Sequence, residues 1–191
     1  MNLPNRITTG RLALSVVLFV MLETVCRDAY DGFWWYAAFV LYLVTVLTDG
    51  LDGYLARSRG QITAFGRIVD PLADKIVICG VLVLASVLPQ TAKLVPPWIV
   101  LVVLAREFLV SGLRGFLEGR GTGFSARWEG KAKLVVQAWY CGAVIFYPGS
   151  HWRWCEVTAE LSLWATLALT VYSAYAYVRS AASLIGTGAD L

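Results

Sequence analysis

Histidine and charged residues are scarce in this 191-residue chain. Its single histidine, His151, and its four cysteines show no clustered spacing, so the sequence does not suggest a zinc site. Charged residues make up 15% of the chain and hydrophobic residues 58%, with a mean hydropathy of +0.65. This composition is too apolar for an ordinary soluble domain and indicates an all-α integral membrane protein. The net charge of +3 is modest and does not suggest nucleic-acid binding.

Six apolar segments predict six transmembrane helices in a single domain, residues 1–191. The predicted spans are roughly residues 12–22, 34–47, 76–88, 98–113, 134–146 and 157–177. Several of these apolar segments are shorter than the about 20 residues that a span needs, so flanking polar turns must complete them. We expect residues 1–11 to form an amphipathic juxtamembrane segment and residues 183–191 to form a C-terminal tail.

Basic residues lie mostly on one side of the predicted spans. Of the 16 lysines and arginines, only Arg27, Lys93 and Arg153 fall on the other side. Lys and Arg accumulate in cytoplasmic segments, so we expect both termini to be cytoplasmic, in a bacterial inner or plasma membrane. Five tryptophans near the opposite ends of the spans predict an aromatic interface belt: Trp34, Trp35, Trp98, Trp152 and Trp154.

Four aspartates stand at regular spacing within this apolar chain. Asp49 and Asp52 are three residues apart, and Asp70 and Asp74 are four apart, so on helices each pair presents both carboxylates on one face. An isolated ionised carboxylate is costly to bury at low dielectric, and a bound cation removes that cost. All-oxygen ligands suit Mg²⁺ or Mn²⁺. The spacing therefore predicts a divalent metal site, in a polar cavity that faces the cytoplasm.

Small residues and one arginine accompany the aspartates. Gly53 and Ala56 form a small-residue strip after Asp49, and Gly66 lies one turn before the second aspartate pair, which leaves room for a substrate. Arg57 offers a planar array of donors suited to phosphate oxygens. The alternative is a set of solvated loop charges with chance spacing, which is disfavoured because so many positions are specified together.

Residues 49–74 read Asp-x2-Asp-Gly-x2-Ala-Arg-x8-Gly-x3-Asp-x3-Asp, which resembles, without a substitution, the signature of the CDP-alcohol phosphatidyltransferases. These membrane enzymes displace CMP from a CDP-linked lipid. The resemblance implies that Asp49, Asp52 and Asp70 ligate two divalent ions and that Asp74 both contacts metal and acts as general base. It also implies a set of CDP-lipid-binding residues: Asn5, Thr8, Gly53, Ala56, Arg57, Thr63 and Gly66.

Three further segments, residues 2–8, 106–114 and 130–137, are similar to the phosphatidylglycerophosphate synthases within this family. This similarity implies transfer from CDP-diacylglycerol to sn-glycerol 3-phosphate, with a homodimer as the assembly. It implies an acceptor-phosphate site formed by Arg106, Arg114, Lys131 and Lys133. Leu134 departs from the subfamily, which commonly has Thr there. The resemblance covers roughly residues 2–137.

From the residues alone, other interpretations stay open. Glu107 can form a structural ion pair with an arginine or contribute to a substrate site, and Lys133 can instead extend to the membrane interface. The acceptor can be phosphatidylglycerol, giving cardiolipin, or inositol phosphate. Intramembrane carboxylates are also found in cation transporters. The sequence leaves open whether Cys26 and Cys155 form a disulfide.

Overall fold

The computed structural model describes the backbone of residues 3–28, 32–58, 64–119 and 128–186, and the side chains of residues 9–28, 32–48, 72–73, 75–117 and 132–182. Within these ranges all regular structure is helical, which confirms the all-α prediction. The elements are α1 (Leu3–Val20), a π-helix (Met21–Cys26), α2 (Gly32–Ser58), α3 (Ala64–Val87), α4 (Pro97–Gly119), α5 (Trp128–Ser150) and α6 (Arg153–Gly186).

Local chemistry explains several helix ends. Pro97 opens α4, where its missing N–H would have no helical partner. The side chain of Thr91 donates a hydrogen bond of 2.7 Å to the carbonyl oxygen of Ala85, which satisfies one acceptor at the end of α3. His151 separates α5 from α6 with a φ of 51°, so the chain turns through the left-handed region there.

Helix α5 occupies the middle of the bundle, where it contacts α2, α3 and α6, while α1 packs on α2 and α3, and α4 packs on α3 and α6. Two buried tyrosines join these helices through backbone carbonyls. The Tyr42 hydroxyl donates to the Ala138 oxygen at 2.8 Å, and the Tyr140 hydroxyl donates to the Leu94 oxygen at 2.6 Å. Both rings are buried in the apolar core, so each hydroxyl is satisfied where water is excluded.

The helices lie where the sequence predicts them, but most extend further. Helix α2 continues to Ser58 and α6 to Gly186, well beyond the apolar segments that mark them. Two windows within the described residues are long and apolar enough to cross a membrane, Thr9–Cys26 and Arg153–Ala182, and Gly32–Thr48 and Lys75–Val87 are shorter apolar helices. The structure thus confirms the helical fold, and the six transmembrane spans stay a prediction.

The predicted aromatic belt is wrong at one position. Trp35 is 1% exposed and belongs to the core, whereas Trp34, Trp98, Trp152 and Trp154 are exposed. Successive helical positions differ by about 100°, so adjacent tryptophans face different surroundings. All four cysteines are free thiols in this structure, including Cys26 and Cys155.

Lys93, in the connection between α3 and α4, binds to the end of α5 and to the first turn of α6. Its ammonium donates to the Tyr147 hydroxyl at 2.6 Å and to Glu156 Oε1 at 2.9 Å, and lies 4.6 Å from the centre of the Tyr147 ring. The hydrogen bonds to Tyr147 and then Glu156 raise the pKa of Lys93 above its usual value. These contacts therefore stabilise the fold below the ordinary lysine pKa and are lost as pH rises through the raised one.

The close contact between α2 and α5 yields a stability prediction. A Cβ on Gly32 would lie 2.7 Å from the backbone oxygen of Gly149. Since backbone atoms cannot rotate aside, we expect Gly32→Ala to lower stability by about 1–3 kcal/mol, the usual range for overpacking. Gly115 in α4 is the matched control, because a Cβ there meets no described atom within 4 Å. Thermal unfolding in detergent would compare them, and equal midpoints for Gly32→Ala and Gly115→Ala would contradict the prediction.

Candidate functional site

The four aspartates lie on two consecutive helices. Asp49 and Asp52 are in the C-terminal half of α2, and Asp70 and Asp74 are in the N-terminal half of α3. The backbone is therefore helical at both pairs, as the spacing argument requires, so each pair shares one helix face. The side chains of the aspartates lie outside the described residues. The side chains of five other predicted site residues also lie outside the described residues: Asn5, Thr8, Ala56, Arg57 and Lys131. Thr63 lies outside them entirely, backbone included. Gly53 is in α2 and Gly66 is in α3.

The donor chemistry of this segment fits hard divalent cations. Four carboxylates supply only oxygen ligands, which Mg²⁺ and Mn²⁺ prefer over sulfur or imidazole. Among the side chains that the structure describes, there is no group of three or more His, Cys, Asp and Glu residues that could hold a metal ion. The two aspartate pairs therefore remain the candidate metal ligands.

A buried ion cluster centred on Glu107 lies on the described part of the bundle. Glu107 Oε1 accepts hydrogen bonds from Arg106 Nη1 at 3.0 Å and from the ammonium of Lys133. Arg106 and Glu107 are each 7% exposed, and Lys133 is 3% exposed. Arg106 Nε also donates to Ser173 Oγ at 3.1 Å, and its guanidinium lies 5.7 Å from the Tyr177 ring centre. The cluster thereby links α4, α5 and α6.

This cluster answers two questions that the sequence left open. Glu107 does pair with an arginine, and it pairs with Lys133 as well. Lys133 does not extend to the membrane interface, because its side chain is buried and bound to Glu107. Two of the predicted acceptor-phosphate residues, Arg106 and Lys133, are brought together, whereas Arg114 is exposed two turns further along α4.

Lys75 and Gln137 adjoin this cluster, and the sequence argument assigned no role to either. The Lys75 ammonium donates to Ser111 Oγ, which in turn donates to the Glu107 backbone oxygen. Lys75, Glu107, Lys133 and Gln137 line one small cavity of about 10 Å³ between α3, α4 and α5. The sequence feature that could have identified Lys75 is its position directly after Asp74, at the start of the apolar part of α3.

Leu134 forms a wall common to three neighbouring spaces. It lines the small polar cavity, a second cavity of about 30 Å³ beside Arg11 and Thr45, and a groove of about 610 Å³ between α2, α5 and α6. The groove is lined mainly by apolar side chains, among them Phe39 and Trp139. Leu134 therefore borders both the small polar cavity and the apolar groove.

Comparisons with known proteins extend over nearly the whole chain. The sequence model of the CDP-alcohol phosphatidyltransferase family matches residues 1–172, so the similarity reaches into α6 and not only to residue 137. The chain is 33% identical over 183 residues to the CDP-diacylglycerol–glycerol-3-phosphate 3-phosphatidyltransferase of Bacillus subtilis, covering 92% of this chain and 93% of that protein.

Two other relatives give the same result. The chain is 34% identical over 185 residues to a Mycobacterium tuberculosis protein named "Probable phosphatidylglycerophosphate synthase", covering 97% of this chain and 84% of that protein. It is 29% identical over 183 residues to the CDP-diacylglycerol–glycerol-3-phosphate 3-phosphatidyltransferase of Rickettsia bellii, covering 94% of each. With the aspartate signature complete and the family match running from residue 1 to 172, the chain belongs to the CDP-alcohol phosphatidyltransferase family.

Proposed function

We propose that this protein transfers the phosphatidyl group from CDP-diacylglycerol to sn-glycerol 3-phosphate, giving phosphatidylglycerophosphate and CMP. The observation that carries the proposal is the similarity over more than nine-tenths of the chain to relatives named for this reaction. The buried cationic residues Arg106 and Lys133 support an acceptor that itself carries a phosphate group.

In the proposed mechanism, Asp74 takes the proton from the acceptor hydroxyl as its oxygen attacks the β-phosphorus of the CDP-lipid, and CMP leaves. Asp49, Asp52, Asp70 and Asp74 would hold two Mg²⁺ or Mn²⁺ ions. When bound, these ions supply charge neutralisation for the diphosphate and for the leaving CMP. CDP-lipid-binding residues, proposed by resemblance, orient the nucleotide: Asn5, Thr8, Gly53, Ala56, Arg57, Thr63 and Gly66.

The acceptor phosphate is held, in this proposal, by Arg106, Arg114, Lys131 and Lys133. Glu107 fixes Arg106 and Lys133 relative to each other, because one carboxylate oxygen accepts from both side chains. A preorganised pair of cations loses less side-chain entropy when it binds an anion than two freely rotating ones. The Glu107 ion pairs and an acceptor-binding role are therefore compatible.

We further propose that all six α-helices span a bacterial inner or plasma membrane, with the aspartates and both termini at the cytoplasmic face and with two copies forming a homodimer. The asymmetry of basic residues supports the orientation. Placing the site at that face lets soluble CMP leave into the cytoplasm. The apolar groove between α2, α5 and α6 supports a protein that works among lipids.

The reaction is tested by measuring CMP release from purified, detergent-solubilised protein given CDP-diacylglycerol and Mg²⁺. We expect release with sn-glycerol 3-phosphate and none after chelation of the metal, because the four carboxylates can neither bind nor orient the diphosphate alone. Phosphatidylglycerol and inositol phosphate are the competing acceptors. Release only with one of these would keep the aspartate chemistry and overturn the acceptor assignment, and no release with any acceptor would overturn the proposed function.

A further inference from the structure

Glu160 is a carboxylate without a partner in a helix that is proposed to span the membrane. It lies in α6 about 10 Å along the helix axis from Arg153, the first residue of that helix. It also belongs to Arg153–Ala182, a window long and apolar enough to cross a membrane. Its side chain is exposed and makes no hydrogen bond or ion pair within the described residues. Ionisable side chains in membrane segments usually pair with an opposite charge, so Glu160 indicates a cationic ligand.

A cavity of about 390 Å³ lies beside Glu160, between α6, the start of α4 and the connection that precedes α4. Buried apolar side chains form part of its wall, among them Leu94 and Ile99. Helix α3 extends about 20 Å from the position of Asp74 to Val87, just before this connection. The cavity therefore lies at the end of the bundle away from the aspartates, and it is large enough for more than water.

The charges that line this cavity are not balanced. Lys93, Glu156 and Glu160 line it and together carry a net charge of −1. The Lys93 ammonium already donates to Glu156 and to the Tyr147 hydroxyl. An ammonium has three N–H groups, so Lys93 has one donor left, whereas Glu160 has no cation at all. The cavity thus fits a ligand that brings a cation to Glu160 and an acceptor oxygen to Lys93.

Two exposed indole rings indicate which kind of cation this is. Trp98 at the start of α4 and Trp164, one turn after Glu160, both line the cavity. Indole faces attract organic ammonium groups, and tryptophan is typical of the membrane–water interface. A divalent metal ion fits less well, because the Lys93 ammonium lies 2.9 Å from Glu156 Oε1 and would repel it. The walls therefore favour an organic ammonium group at a membrane surface.

We propose that this cavity binds the headgroup of a phospholipid that carries an ammonium group, as phosphatidylethanolamine does. The ammonium donates to Glu160 beside the indole rings of Trp98 and Trp164, and a phosphodiester oxygen accepts from Lys93. The inference rests on the proposed membrane spans, since a lipid reaches the cavity only where this end of the bundle meets a membrane surface. It goes beyond the proposed reaction, because this lipid is neither its donor nor its acceptor.

The test titrates the purified, detergent-solubilised protein with dioleoylphosphatidylethanolamine or, separately, with dioleoylphosphatidylglycerol, and counts retained lipid by native mass spectrometry. The two lipids share acyl chains and phosphodiester, and only the first carries an ammonium. We expect Glu160→Gln to weaken phosphatidylethanolamine binding about tenfold, since hydrogen bonds to charged groups are among the stronger ones, and to leave phosphatidylglycerol binding unchanged. Glu23→Gln is the matched control, because Glu23 is an exposed carboxylate that pairs with Arg27 outside the cavity.

Trp164→Leu supplies an independent variant, because it removes an indole face and keeps an apolar side chain. It is expected to weaken phosphatidylethanolamine binding by about threefold or more and to spare phosphatidylglycerol. Thermal unfolding midpoints without added lipid show that each variant is folded.

Three outcomes would overturn the inference. The first is unchanged phosphatidylethanolamine binding in Glu160→Gln, and the second is an equal loss for both lipids, which indicates apolar contact alone. The third is an equal loss in Glu23→Gln, which indicates general surface charge. None of these measurements needs turnover, so absence of CMP release from the wild type would overturn the proposed function and leave the lipid site standing.

Discussion

Asp74→Asn is expected to lower the rate of CMP release by about 10²–10⁴-fold, the usual contribution of a positioned general base. Asparagine keeps the size of aspartate and cannot take the proton of the acceptor hydroxyl. Nucleotide binding should persist in this variant, because Asp49, Asp52 and Asp70, which the family resemblance gives as the ligands of both metal ions, are unchanged. The rate is measured at saturating CDP-diacylglycerol and glycerol 3-phosphate, and CDP binding is measured separately with and without Mg²⁺.

The comparison variants separate the base from the metal ligands. Asp49→Asn and Asp70→Asn are expected to lose turnover and Mg²⁺-dependent CDP binding together, because each removes a charged ligand that Asn replaces poorly. Asp28→Asn is the control, since Asp28 is exposed and lies outside the aspartate pattern. Near-normal turnover in Asp74→Asn would exclude it as the base, and unchanged Mg²⁺-dependent binding in Asp49→Asn would exclude it as a ligand.

The parts of this protein that sequence predicted are those fixed by local pattern. Apolar segments placed the helices, and the pairing of Asp49 with Asp52 and of Asp70 with Asp74 depends only on the backbone being helical at each pair, as it is. The ends of the helices could not be predicted as well, because hydropathy marks the apolar part of a helix and not its full length. Helix α2 therefore continues through polar residues to Ser58, beyond the predicted end at residue 47.

Contacts between distant residues could not be read from the sequence. Lys133 bonds to Glu107 across 26 positions and Lys75 bonds to Ser111 across 36, so both contacts depend on how α3, α4 and α5 pack. The sequence identified Glu107 as a charge that needs a partner in an apolar helix, which is a local argument. Which cation it selects is a property of the tertiary structure.

The ion pairs of Glu107 with Arg106 and Lys133 predict a large effect on the stability of the fold. Glu107→Gln is expected to destabilise the fold by about 3–5 kcal/mol, because it removes the carboxylate that two buried cations share and leaves both without their anion. Lys133→Met should cost less, since Glu107 then keeps its bond to Arg106 at 3.0 Å. Thermal unfolding in detergent without substrates measures the order of the two effects.

A surface pair supplies the control for this ordering. Glu23 in the π-helix pairs with Arg27, which directly follows that helix, and their side chains are 41% and 46% exposed. An exposed ion pair contributes about 1 kcal/mol or less. Glu23→Gln also removes a carboxylate from an ion pair, but at an exposed site where water can solvate the arginine that is left. Its unfolding midpoint should therefore stay close to that of the wild type. A Glu107→Gln midpoint equal to that of Glu23→Gln would show that water reaches the cluster. In that case Arg106 and Lys133 would be hydrated cations, and Glu107 would not be what holds them in place for a phosphate.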